Sequence, residues 1–117
     1  MENKPLISID DFKKLEIKIG HILTAEKVAD TDKLLRLSVD FGEAIPRQII
    51  SGISGFFPDL QVLVGKKCAF ATNLEPRTIR GLESQGMILA VTGGDDDKQF
   101  FSLLETSADV IPGSTVK

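Results

Sequence analysis

The stretch Leu35-Arg36-Leu37-Ser38-Val39-Asp40-Phe41 decides the fold class of this chain. Apolar residues fall on every second position with polar ones between them. That is the period of a strand with one face in a core and the other in water. Arg36 shares its parity with Ser38 and therefore lies on the outer face, opposite Leu35 and Leu37.

Upstream, Leu15, Ile17 and Ile19 alternate with Glu16 and Lys18, which predicts a half-buried strand. Gly20 is expected to allow a bend or bulge before the strand resumes from Ile22 to Val28. Ser8 followed by Asp11 predicts a helix N-cap and a short helix through Lys14. Ala29-Asp30-Thr31-Asp32 is a turn cluster. Downstream, Gly42 to Pro46 is a connection and Arg47 to Ile53 a third strand. Phe56 to Leu63 suits a short helix, with Pro58 in its first turn. Cys68 to Thr72 reads as a fourth strand and Met87 to Thr92 as a fifth. Gly93 to Asp97 is a polar turn before a further strand, Gln99 to Glu105. Five strands with a short helix between the third and fourth is the order of an OB-fold barrel, a mainly β architecture. The reading is one domain over residues 1–117, with the barrel over 8–92. Residues 93–117 form an extension expected to cap the barrel or to pair with another chain.

A chain of 117 residues supports one core and not two. Its apolar fraction of 42% and charged fraction of 26% are ordinary for a soluble globule. No apolar run approaches the ~20 residues that span a bilayer. The first residues carry no apolar stretch of the secretory kind, so no leader is expected. A single cysteine, Cys68, cannot form an intrachain disulfide and points to the cytoplasm.

The net charge of −3 argues against a purely electrostatic polyanion binder. It conceals an asymmetry. Lys13 to Arg80 holds eleven basic and eight acidic residues, net +3, while the flanks hold three basic and nine acidic, net −6. One cationic face on an acidic protein is compatible with that distribution.

Catalytic signals are missing. His21 stands alone inside a strand pattern, without the Cys or His partners that a metal or triad site needs. Asp95-Asp96-Asp97 lacks the spacing and closing glutamate of a calcium loop. Cys68 lies among Ala69, Phe70 and Ala71 and reads as a core thiol. No cofactor, metal or enzymatic activity is expected of this chain on its own.

Asn73 to Met87, NLEPRTIRGLESQGM, is the segment with a ligand in view. It sets Arg77 and Arg80 in a Pro- and Gly-marked loop that runs through Ser84-Gln85-Gly86-Met87 into an apolar strand. A basic loop beside a rigid strand suits a polyanion backbone. With Lys33, Arg36 and Arg47 it gives five candidate cations, and an arginine fork can hold two phosphate oxygens. There is no Trp or Tyr, and Phe41, Phe56, Phe57 and Phe70 sit in apolar runs that read as core. Scarce stacking platforms favour recognition of a folded RNA by shape and backbone over reading of unpaired bases.

Several elements in order resemble the tRNA-binding domain family. They are Asp11-Phe12, Leu15 to Gly20, Asp32-Lys33-Leu34, Val39 to Gly42, Arg47 to Ile53, Val64-Gly65-Lys66, Asn73-Leu74, Pro76-Arg77, Arg80-Gly81 and Ser84-Gln85-Gly86-Met87. The resemblance covers about Ile9 to Lys117. It includes stand-alone dimeric tRNA-binding proteins and the C-terminal appendix of many bacterial methionyl-tRNA synthetases. It implies an OB-fold whose C-terminal extension forms a two-fold homodimer, and binding of tRNA by shape. Ser84 and Met87 match the family's RNA-binding positions, with Gln85 between them, and Lys33 and Asn73 match two others. The chain departs from the family's His-Pro-x-Ala at Val28-Ala29-Asp30-Thr31. The expected partners are tRNA, a second copy and a methionyl-tRNA synthetase, whether the chain is free-standing or appended to one. The competing expectations are a dimerisation or scaffolding domain, and a protein-binding chaperone.

Overall fold

The computed structural model describes residues 3–117; Met1 and Glu2, with which the leader reading begins, lie outside the described residues. Ser8 caps a one-turn helix, α1 (Ile9–Lys13), its hydroxyl accepting from the Asp11 amide at 3.0 Å. The strands that follow are β1 (Ile17–Lys27), β2 (Leu35–Asp40), β3 (Arg47–Ser51), β4 (Lys67–Ala71), β5 (Arg77–Ile79), β6 (Leu82–Ser84), β7 (Met87–Ile88), β8 (Ala90–Gly94) and β9 (Gln99–Leu103).

Five of them make one antiparallel sheet in the order β3-β2-β1-β4-β7. The alternation in β2 is realised in full, with Leu35, Leu37 and Val39 buried and Arg36, Ser38 and Asp40 half-buried. Those three apolar side chains join Ile22, Ile49, Leu63 and Phe70 in the core. Phe41 meets Phe70 edge to face, with ring centroids 5.2 Å apart. The sheet curls until its edges meet. The Gln85 amide donates to the Gln48 carbonyl at 2.8 Å, and the Ser84 hydroxyl accepts from the Ile50 amide at 2.9 Å. Edge strand β3 is thereby joined to the segment that leads into the opposite edge, β7. The result is a mainly β, half-barrel architecture consistent with an OB-like fold.

Four local expectations are corrected. The first strand is continuous through Gly20, and the register shift falls between Ile22 and Thr24 instead. Gly20 serves a close approach, since a Cβ there would lie 2.6 Å from the Phe41 ring. The connection after β3 holds two 3₁₀ turns, Ser54–Phe56 and Leu60–Val62, in place of one α-helix. Pro58 lies between them and offers no amide to continue the first. The segment around Arg77 is an ordered β5–β6 hairpin and not an open loop.

The fourth correction concerns Met87 to Thr92, which is divided between two sheets. β7 pairs with Phe70 and Ala71 of β4, while β8 pairs with β9. The other half of that β4 edge is already taken. Ala69 donates to the Leu104 carbonyl, Thr106 donates to the Lys67 carbonyl, and Cys68 bridges Glu105. The apolar run must therefore leave the sheet at Leu89. The residues after the hairpin return to their own barrel a second time. Gly113 donates to Ile19, Ile19 to Ser114, and Val116 to Ile17. This tail lies along β1. No helix among the described residues is long and apolar enough to cross a membrane.

Candidate nucleic-acid interface

The β5–β6 hairpin rises between β4 and β7, with Arg77 opposite Ser84 and Ile79 opposite Leu82. Its turn is Arg80-Gly81, both at positive φ (53° and 79°), as in a type I′ hairpin turn. Gly81 takes that conformation freely. Arg80 does not, because its Cβ crowds the backbone there. The tip of the hairpin faces the turn between β1 and β2. Asp30, Thr31, Asp32, Lys33 and Leu34 on one side, and Ile79 and Arg80 on the other, line a cleft of about 510 Å³. Lys33, Arg77 and Arg80 are exposed, and among the described residues none of them forms an ion pair. Met87, at the entrance to β7, is 46% exposed.

The other candidates are engaged within the protein. Ser84 is 4% exposed; its hydroxyl accepts from the Ile50 amide and donates to the Gly86 carbonyl, both at 2.9 Å. Gln85 accepts from the Gln48 amide through Oε1 at 2.9 Å. Asn73 ties the hairpin's approach to the N-terminal segment, accepting from the Glu16 amide at 2.8 Å and donating to the Lys14 carbonyl at 2.6 Å. Arg36 lies on the outer face of β2, paired with Glu26 at 3.1 Å. Arg47 is paired with Glu43 at 2.8 Å and packs 5.4 Å from the centre of the Phe41 ring. Its hydrogen bond holds the Glu43 carboxyl below the usual carboxylate range.

The structure thus brings Lys33 and Arg80 to one cleft, with Arg77 and Met87 exposed on the hairpin and the strand that follows it. Sequence reasoning missed Glu43, whose tie to Arg47 crosses a Gly- and Pro-marked connection. It also missed Gln48, which donates through its side-chain amide to the Glu83 carbonyl at 2.9 Å. The phenylalanines depart from expectation as well. Phe41 and Phe70 are buried, but Phe56 is 55% exposed and stacks on Phe101, and Phe100 is 57% exposed. None of the candidate residues lines the grooves beside those rings. Burial pushes the Cys68 thiol up to about 11, in keeping with a core thiol.

A family model described as "Putative tRNA binding domain" matches residues 17–115. The methionine–tRNA ligase of Lactococcus lactis subsp. lactis is 45% identical over 113 residues, covering 96% of this chain and 16% of that protein. The methionine–tRNA ligase of Methanoregula boonei is 48% identical over 117 residues, covering 99% of this chain and 16% of that protein. The chain therefore spans only a small part of the length of the curated relatives it matches. Among solved structures, the MetRS related protein from Pyrococcus horikoshii superposes with a TM-score of 0.84 at 36% identity, covering 97% of this chain and 100% of that one. The chaperone CsaA from Bacillus anthracis shares the fold, with a TM-score of 0.78 at 22% identity over 97% of this chain and 100% of that one. With the match to the family model running from the first strand to the tail that lies along it, this chain belongs to the tRNA-binding domain family.

Proposed function

We propose that this chain is a non-catalytic module that binds tRNA by shape and backbone contacts, docking it across the cleft between the β1–β2 turn and the β5–β6 hairpin. The observation that carries the reading is the pairing of Lys33 and Arg80 across that cleft, beside an exposed Arg77. These two connections are the ones that OB-type barrels use to bind oligonucleotides. Arginine forks and an ammonium supply charge to phosphates, and Met87 supplies an apolar contact at the strand entrance. Asp30 and Asp32 line the same cleft and temper its potential. Ser84, Gln85 and Asn73 hold the site in shape, while Arg36 lends charge from the adjoining outer face.

The test is a tRNA mobility-shift titration at low and at physiological salt. Affinity should fall steeply between the two, because each phosphate contact releases counterions. No binding at low salt would end the reading in favour of a scaffolding domain. Displacement of bound tRNA by unfolded polypeptide would favour a chaperone instead.

The module works as a homodimer in the cytoplasm, beside or as part of a methionyl-tRNA synthetase. A contiguous synthetase body would gain tRNA at raised effective concentration. Support for self-association comes from apolar side chains left in water. α1 buries none of its residues, and Leu6, Ile7, Ile9, Phe12 and Ile111 are exposed. Light scattering coupled to gel filtration reads the oligomer directly, and a monomer at micromolar concentration would refute it.

A further inference from the structure

One guanidinium ties the two roots of the basic hairpin together. Nη1 of Arg47 donates to the Thr72 carbonyl at 2.7 Å and to the Gln85 carbonyl at 3.2 Å. Thr72 directly follows β4, where the chain sets out toward the hairpin, and Gln85 directly follows β6, where it comes back. The remaining edge of the group is taken by Glu43. Nε donates to Oε1 and Nη2 to Oε2, each at 2.8 Å. That fork is the edge with which an arginine holds a phosphate in two-point fashion, so the carboxylate occupies the place a phosphate would need. The Phe41 ring, in the core, supports the group from one side.

We infer that Arg47 is a positioning residue for tRNA binding and not a phosphate contact: locked by Glu43, it clasps the neck of the hairpin and so fixes where Arg77, Arg80 and Met87 stand. The inference rests on the tRNA reading above. Its physical basis is leverage. Gln48, Ser84 and Gln85 tie the β6 side of the hairpin to β3, while Arg47 alone among the described side chains joins both roots, so an opening there displaces the cleft wall that Ile79 and Arg80 form at the tip. The function of the clasp is to keep charge pre-organised, which removes an ordering cost at the moment of binding.

Two substitutions separate this role from simple electrostatics in the full chain. Arg47→Lys keeps the positive charge, but one ammonium cannot hold two carbonyls and a carboxylate fork at once. Glu43→Gln removes an anion, so a charge effect alone would tighten binding. The clasp predicts that each variant binds tRNA about tenfold more weakly, as for loss of a charge-assisted hydrogen bond. The slope of log affinity against log salt should stay at the wild-type value. Amide exchange should rise from Thr78 to Ser84 and stay unchanged in β1 and β2. Glu43→Gln binding as tightly as wild type or tighter would overturn the inference, as would unchanged hairpin exchange in both variants. If the wild-type chain itself bound no tRNA, the functional reading and this role would fall together. A wild type that binds, with Glu43→Gln at wild-type affinity, would sink the clasp alone.

Discussion

Arg47 and Arg80 stand at the two ends of one hairpin, the first reaching from β3 to its neck and the second forming its tip, and their surroundings are opposed. The neck arginine spends its donors on Glu43, Thr72 and Gln85 and rests on a core phenylalanine. The tip arginine is exposed, forms no ion pair among the described residues, and sits at a backbone angle that favours glycine. The same chemical group therefore stands engaged in one place and unengaged in the other, and its neighbours decide which. A bound guanidinium gives rigidity. An unbound one keeps its donors for a ligand.

The largest effect expected from breaking this contrast comes from beneath the neck. Phe41→Ala removes the ring under Arg47 and opens the core, at a cost of about 3–5 kcal/mol by denaturant unfolding. A variant of unaltered stability would show that the neck does not lean on the core. Next is the tip. Arg77→Ala combined with Arg80→Ala should leave the midpoint of thermal unfolding in place while flattening the salt slope of tRNA binding. The change should be about one unit for each phosphate that the double variant no longer neutralises. An unchanged slope would place the phosphate-binding groups elsewhere.

Arg80→Asn sharpens the comparison further. Asn-Gly is the preferred pair for a type I′ turn, so stability should rise by about 1 kcal/mol as strain is relieved. tRNA affinity should drop in the same protein. A gain in both would mean that the arginine is not there for its charge. Met87→Ala should weaken binding by only a few-fold, since it removes an apolar contact and no charge.

The smallest effect is a matter of pH. Glu43 is held below the usual carboxylate range first by its hydrogen bond to Arg47, and then by the charges of Arg47 and Lys18. A depressed carboxyl contributes stability that is present above its unfolded value, about 4.3, and is lost as pH falls through its folded value. The neck should stay closed from neutrality down through the ordinary carboxylate range and open only in stronger acid. Carbon-detected NMR titration of Glu43 checks this, and a carboxyl that is not depressed would contradict it.

How much of this was legible in the sequence depended on whether the cause was local. Leu35, Leu37 and Val39 announce their strand because burial on one face repeats every second residue, and that period is written along the chain. Ser8 announces α1 because a cap lies within a turn of what it caps. The division of Met87 to Thr92 between two sheets was illegible, because an apolar run looks the same whichever partner it finds. The competitor for β4, Leu104 to Thr106, lies far along the chain. The clasp was hidden for a related reason. Arg47 binds main-chain carbonyls, which every residue possesses, so no side chain at Thr72 or Gln85 advertises the contact. As a sequence feature Arg47 was one more cation beside Arg77 and Arg80, and only its surroundings set it apart.

The tail that lies along β1 carries a consequence for how the protein is made. Ile17 and Ile19, near the start of the chain, receive Gly113 and Val116, near its end. The free edge of the first barrel strand is therefore completed by residues that are the last of the domain to be synthesised. Such pairing of distant segments slows folding and postpones it. A nascent chain emerging from the ribosome leaves the edge at Ile17 and Ile19 unpaired until the segment from Gly113 to Val116 has been made.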